Sequence, residues 1–220
     1  MYPVFKRAFD IIFSLLMLIL LFPFLGLICI LLLITGEHAI FYFQKRVGQH
    51  GHFFNILKFA TMLKNSAHLG TGEITLKNDF RVTPMGKLLR KTKINELPQL
   101  INVLKGDMSW VGPRPLMEVS YLLYTPEQRE MIYRSKPGIT GVGSVVYRDE
   151  EKLLSEAADP RAAYQQIFKH KADLEIWYIS NRSIWIDFKI IVLTAIAILV
   201  DVSIILPMWL RGIPSSQTQE

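Results

Sequence analysis

Residues 91–115 read KTKINELPQLINVLKGDMSWVGPRP, and the reading of this run decides most of what the chain can be. Asn95 is a good helix N-cap type and stands before Glu96 and Pro98. The spacing therefore predicts a helix that starts there with a carboxylate in its first turn, where unpaired N–H groups favour negative charge. Leu97, Leu100, Ile101 and Leu104 follow at i, i+3, i+4 and i+7 and predict one buried face, with Gly106 ending the helix. Asp107 and Ser109 lead into a turn, and Trp110-Val111 predict a brief buried strand. Gly112-Pro113-Arg114-Pro115 then fixes the backbone on both sides of one guanidinium, a presentation suited to bidentate phosphate binding. On spacing alone, Glu96 is more simply a dipole-compensating helix-start residue and Arg114 a surface charge.

Half of the 220 residues are hydrophobic, high for a soluble domain, and the length suits one domain with membrane attachments. The net charge of +6 is unevenly spread. Residues 37–115 hold twelve basic and five acidic side chains, while residues 116–220 are net negative. This basic segment directly follows an apolar N-terminus, as suits anionic lipid or phosphorylated substrates, and no nucleic-acid-binding motif accompanies it. Cys29 is the only cysteine, so there is no intrachain disulfide. His50, His52 and His68 lack metal-ligand spacing with it.

Residues 8–35 form a long apolar run broken by Pro23 and Gly26, with basic residues on both flanks: Lys6 and Arg7 before, Lys45, Arg46, Lys58 and Lys64 after. Hydropathy alone reads a single span, but if positive charge stays cytoplasmic both ends want the same face. Residues 39–43 and 52–57 predict a strand pair, and 69–83 a glycine-interrupted loop. Residues 84–91 predict an amphipathic helix with Met85, Leu88 and Leu89 in apolar surroundings. Thr125-Pro126-Glu127-Gln128 predicts a capping-box helix start. The acidic stretch from Asp149 to about Lys171, broken at Pro160, reads as a solvated helical face. Residues 176–189 have an interfacial composition, and 190–210 are nearly all apolar apart from Asp201 and Pro207, which suggests an interfacial or partly buried helix.

The 91–115 stretch resembles the signature of the bacterial sugar transferase family, the monotopic polyprenyl-phosphate phosphoglycosyl transferases, approximately R-x-T-S-x-D-E-L-P-Q-L-x-N-V-L-x-G-D-M-S-x-V-G-P-R-P. Residues 45–48 (KRVG), the segment from Phe54 to Met62 and residues 136–141 (KPGITG) resemble family segments too. The resemblance implies transfer of a sugar-1-phosphate from a UDP-sugar to polyprenyl (undecaprenyl) phosphate with release of UMP, starting a surface glycan at the cytoplasmic face of the bacterial inner membrane. It implies a Mg2+ ion held by Glu96, with Lys58, Arg90, Arg114 and Arg148 binding substrate phosphates, and it turns the N-terminal run into a re-entrant hairpin bent at Pro23. The expected fold is α/β and mostly helical: anchor 1–36, cytosolic catalytic domain 37–189 of interfacial helices and short strands, apolar helix 190–210 and disordered tail 211–220. The aromatic C-terminal segment is a candidate homodimer surface. The alternative function is a non-catalytic scaffold that binds polyprenyl phosphate or a partner glycosyltransferase.

Two departures matter. Where the family has an Asp-Glu pair whose aspartate attacks phosphorus, this chain has Asn95-Glu96, and an amide lacks the anionic oxygen that attack requires. Glu96 taking over, direct attack by polyprenyl phosphate, an engineered change and a natural non-catalytic relative all stay open. Residues 142–147 replace the family's W-A-Q-V-x-G with VGSVVY, while Arg148 keeps its register.

Overall fold

The computed structural model describes residues 2–66 and 79–215, so most of the expected glycine loop and the end of the expected tail lie outside the described residues. The chain opens with α1, Tyr2–Ile34, one helix that continues through Pro23. Its polar residues are not surface residues. Asp10 is buried and accepts from the Ser109 hydroxyl (3.1 Å) and the Trp110 amide (3.0 Å), while Ser14 accepts from the Trp110 indole at 2.8 Å. At the other end Ile28 and Leu32 pack on Phe59 and Leu89. Between these docked ends the side chains face outward, with Phe22 76% exposed.

The strand pair is longer than expected: β1 is Phe41–Val47 and β2 Phe53–Phe59, antiparallel from Phe41↔Phe59 to Val47↔Phe53. β1 runs on through Gln44 and Arg46, which share one face with Tyr42, and through Lys45 on the other face, whose ammonium lies 3.9 Å from the centre of the Phe53 ring. Helix α2, Pro84–Lys91, has the expected bounds, and the Thr83 side chain accepts from the Gly86 amide at 3.0 Å. Leu89 is buried but Leu88 is 57% exposed. Adjacent residues point about 100° apart on a helix, so Met85 and Leu89 share the inward stripe and Leu88 does not.

Lys93 then takes a left-handed conformation (φ 60°), and Ile94–Glu96 form a 3-10 turn. The expected helix start at Asn95 is therefore corrected: α3 is Gln99–Lys105, it begins at Pro98, and Asn95 caps nothing. The reversal at Lys93 winds residues 94–97 too tightly for an N-cap, with Glu96 N–H on the Lys93 carbonyl. Of the expected stripe only Leu100 is buried; the other inward residues of α3 are Gln99, Asn102 and Val103. Asn102 explains the rotation: its Oδ1 accepts from Leu57 N–H (2.9 Å) and its Nδ2 donates to the Asn55 carbonyl (2.8 Å), so α3 presents an amide to the β2 edge. Gly106 ends the helix at φ 94° as expected, its N–H on the Asn102 and Val103 carbonyls, and the Arg7 guanidinium donates to the Val103 and Leu104 carbonyls (2.6 and 2.9 Å).

The brief strand follows as β3, Ser109–Val111. After α4 (Glu118–Tyr121) and α5 (Pro126–Ile132), which carries the expected capping box, the chain returns as β4, Gly138–Thr140, parallel to β3. The glycines of the two motifs meet here backbone to backbone. A Cβ on Gly138 would lie 2.2 Å from Gly112 N, and one on Gly112 2.3 Å from the Lys136 carbonyl. Gly138→Ala must force the strands apart, so we expect a loss of about 3 kcal/mol, read as a lower urea midpoint with unchanged slope. A midpoint within error of wild type would show that the crossing can yield.

The remainder is α6 (Val142–Val146), α7 (Glu150–Glu156), α8 (Pro160–Asn181), α9 (Ile184–Ala197) and α10 (Ile205–Trp209). The 149–171 stretch is not simply solvated: Glu150 pairs with Lys171 at 2.7 Å and both are largely covered. The 190–210 segment is not one interfacial helix, and position 190 falls inside α9. Ile190, Leu193, Ala197, Val202, Leu206 and Leu210 bury against Val111, Val142, Leu174 and Tyr178. The segment is thus partly buried, as expected: these residues serve the main core while Leu199 (84% exposed), Ile204 (79%) and Met208 (72%) face outward, and Asp201 sits in the turn and accepts from the Ser203 amide. In 176–189, Tyr178 is fully buried, whereas Trp185 (63% exposed) stacks on Phe188 and faces outward. Within the expected tail, the Pro214 carbonyl accepts from His170 at 3.0 Å.

Candidate active site

The hairpin supplies the first half of the site. Tyr42/Lys58, Gln44/Ile56 and Arg46/Phe54 are opposed pairs on one face, so Lys58, Ile56 and Arg46 line a small polar cleft together. The turn after Lys93 supplies Glu96, α3 supplies Gln99, and the proline-locked turn supplies Arg114. Gly138 and Ile139 of β4 close the wall.

Lys58 Nζ donates to Glu96 Oε1 at 3.1 Å, and Arg114 Nη2 lies 3.9 Å from the same oxygen. The Lys58 and Glu96 side chains are 16% and 14% exposed, so a ligand can reach the pair although it is mostly out of water. Burial alone would raise the Glu96 carboxyl, but Lys58, Arg114 and Lys93 outweigh it and hold the group well below the usual carboxylate range. Burial pulls Lys58 down to about 8; Glu96 opposes the shift, and the Arg114 and Arg46 charges add to it. The cleft at neutral pH is one fixed anion among several cations. Its positive excess fits a ligand with more than one phosphate charge.

Of the expected site residues, the structure brings together Lys58, Glu96 and Arg114. Asn95 is adjacent and 7% exposed, with its buried Oδ1 lacking a hydrogen-bond donor. Arg90 reaches the Met62 sulfur (3.9 Å) and adds positive potential at Asp79. Arg148 donates to the Ile198 carbonyl at the end of α9 (3.0 Å), and neither arginine lines the cleft. Sequence reasoning missed Arg46 and Gln99. Arg46 lies in the segment KRVG, and strand alternation from Lys58 was the signal that could have found it; Arg46 donates to Gln44 Oε1 (3.1 Å) and to the Pro115 carbonyl (3.2 Å), joining β1 to the Arg114 turn.

A carboxylate and cations from a hairpin, a 3-10 turn and a proline-locked turn thus meet in one cleft, on a domain tied to a helix long and apolar enough to cross a membrane. The chain belongs to the bacterial sugar transferase family, whose model matches residues 1–201. It is 37% identical over 201 residues to the uncharacterized sugar transferase EpsL of Bacillus subtilis, covering 89% of this chain and 88% of that one. It is 34% identical over 208 residues to the undecaprenyl-phosphate galactose phosphotransferase of Salmonella typhimurium, covering 88% of this chain but 40% of the relative. Against the UDP-glucose:undecaprenyl-phosphate glucose-1-phosphate transferase of Klebsiella pneumoniae the identity is 38% over 198 residues, 87% of this chain and 39% of the other.

Proposed function

We propose that this chain transfers a sugar-1-phosphate from a UDP-sugar to undecaprenyl phosphate. The observation that carries the reading is the Lys58–Glu96–Arg114 cluster in a chain of this family. An oxygen of the acceptor phosphate forms a bond to the β-phosphorus of the donor, the bond from that phosphorus to the bridging oxygen breaks, and UMP leaves with the electron pair. Lys58 and Arg114 hold phosphate oxygens and stabilise charge moving towards the leaving group. Glu96, ionised and braced by two cations, is a weak nucleophile and a good orienting group; with an amide at Asn95, we infer direct transfer without a covalent enzyme intermediate. Among the described residues no three His, Cys, Asp or Glu side chains gather for a metal. Mg2+ commonly uses one or two carboxylates and completes its shell with substrate phosphates and water, so Glu96 fits as its protein ligand. When bound, that ion neutralises phosphate charge. The test is UMP release from a panel of UDP-sugars with undecaprenyl phosphate and Mg2+; no release from any donor, with binding of undecaprenyl phosphate intact, would establish the scaffold reading instead.

The pH profile tests the cation. Lys58 is protonated below about 8 and neutral above it, so kcat/KM for the UDP-sugar should fall on the alkaline side with a midpoint near that value. Lys58→Arg should move the limb above pH 10 because guanidinium does not deprotonate there. A limb that stays near 8 in that variant belongs to another group.

The proposed location is the cytoplasmic face of the inner membrane, with α1 entering and leaving one leaflet. Both ends of α1 dock on the same domain, and residues 15–27 between Ser14 and Ile28 reach only ~20 Å at 1.5 Å per residue, short of a ~30 Å hydrocarbon core. In a Cys29→Ser background, cysteines placed at Val4 and Glu37 should both label from the cytoplasmic side. Labelling from opposite sides would establish a span.

A further inference from the structure

The cleft explains Lys58, Glu96 and Arg114 but leaves unused a buried carboxyl that lies beneath it. Glu175 projects from α8 and is 3% exposed. The backbone N–H groups of Arg114 and Gly143 face its carboxyl and favour the charged form against burial. The approach is close: a Cβ on Gly143 would stand 2.8 Å from Glu175 Oε1, and one on Gly141 3.7 Å. The other oxygen, Oε2, has no hydrogen-bond partner. From the opposite side the Tyr133 hydroxyl donates to the Arg114 carbonyl at 3.4 Å, and Gly138 N–H donates to the Pro113 carbonyl at 2.9 Å. The Arg114 carbonyl is thus held from the end of α5, and its N–H faces Glu175 of α8.

We propose that Glu175 is a positioning residue for Arg114, a buried strut whose single accepting oxygen ties the 112–115 turn to the start of α6 and so sets the direction in which the guanidinium leaves the turn. The inference rests on the transferase reading for its kinetic consequence and on geometry alone for its structural one. Prolines fix φ at 113 and 115 but do not fix the turn as a body relative to the cleft. A side chain anchored in α8 does, because α8 packs into the core through Leu174 and Tyr178 on either side of Glu175. The strut does not need charge. Burial raises the Glu175 carboxyl to about 8, and Lys171, one turn away, has its ammonium bonded to Glu150, so the group is mostly the neutral acid at pH 7. Glutamine can place the same accepting oxygen in the same position; leucine cannot.

Three variants and two readouts test this. Amide hydrogen exchange of the peptide containing Arg114 reads the strut without turnover, and steady-state kinetics with the UDP-sugar read its consequence. Glu175→Leu should speed exchange at the Gly112 and Arg114 amides and raise the donor KM, each by about tenfold, with kcat changed less than about threefold, since one buried acceptor is lost. Glu175→Gln should stay within about twofold of wild type on both measures. In an Arg114→Ala background, Glu175→Leu should add nothing to KM, which a general loss of stability would not reproduce. If Glu175→Leu fails to fold, Gly143→Ala presses a methyl against Oε1 and should give the same local exchange and KM changes. Unchanged exchange in whichever variant folds, a Glu175→Gln as impaired as Glu175→Leu, or additivity with Arg114→Ala would overturn the proposal. A wild-type chain that releases no UMP while Glu175→Leu still loosens the turn would overturn the transferase reading and leave the strut in place.

Discussion

Glu96→Gln should lower UMP release by about 10³-fold or more, roughly 4 kcal/mol of transition-state stabilisation. The substitution removes the carboxylate that faces Lys58, Arg114 and Lys93, and with it the group proposed to orient phosphate and to hold Mg2+. It also removes the charge that supports Lys58, whose pKa should drop below about 8. Lowering the assay pH separates the two losses, because only the part that comes from Lys58 deprotonation is recovered. Asn95→Asp provides the complementary case. It places a carboxylate where a buried amide oxygen has no donor, so some stability is lost, yet turnover should be retained or raised. Intact-mass analysis after donor addition should show no adduct on the wild-type chain. An adduct mapped to Glu96 would replace direct transfer with attack by that residue, and full activity in Glu96→Gln would remove Glu96 from the mechanism altogether.

Arg114→Lys should cost about 30-fold in kcat/KM while leaving the fold intact. The guanidinium leaves a turn bounded by two prolines, and its Nη2 stops 3.9 Å from Glu96 Oε1, close enough to steer the carboxylate and far enough to admit a phosphate oxygen. An ammonium offers no planar fork to satisfy two phosphate oxygens at once. The side chain is 43% exposed, so the substitution removes little packing and the effect should appear in kinetics rather than in the unfolding midpoint. Near-normal kcat/KM would make Arg114 a superficial charge.

Local backbone signals were legible in the sequence: the α2 bounds, the Thr125 capping box, the Gly106 stop and the strand after Asp107 all follow from residues that act on their own neighbourhood. Asn95 failed as a cap because the reversal at Lys93, a left-handed lysine, is dictated by packing rather than by residue type. The α3 face failed for a related reason, since Asn102 is worth more inside, paired to the β2 edge, than in water. In the site, Lys58, Glu96 and Arg114 were found through motif register. Register also selected Arg90 and Arg148, whose side chains go to Met62 and Ile198, because it fixes where a residue sits in the chain and not where its long side chain ends. Arg46, Gln99 and Glu175 needed the hairpin pairing and helix packing that only the folded chain displays.

The docking of α1 changes how the protein must be handled. Trimming the chain at residue 36 to obtain a water-soluble fragment would remove more than a greasy handle. Arg7 would no longer close the end of α3, Asp10 would no longer hold the start of β3, and Lys6 would leave Asp187 of α9 without its 2.6 Å partner. These bonds tie α1 into the body that carries the site, so we expect preparations that keep the whole of α1, in detergent or a lipid disc, to hold the site better than a trimmed chain.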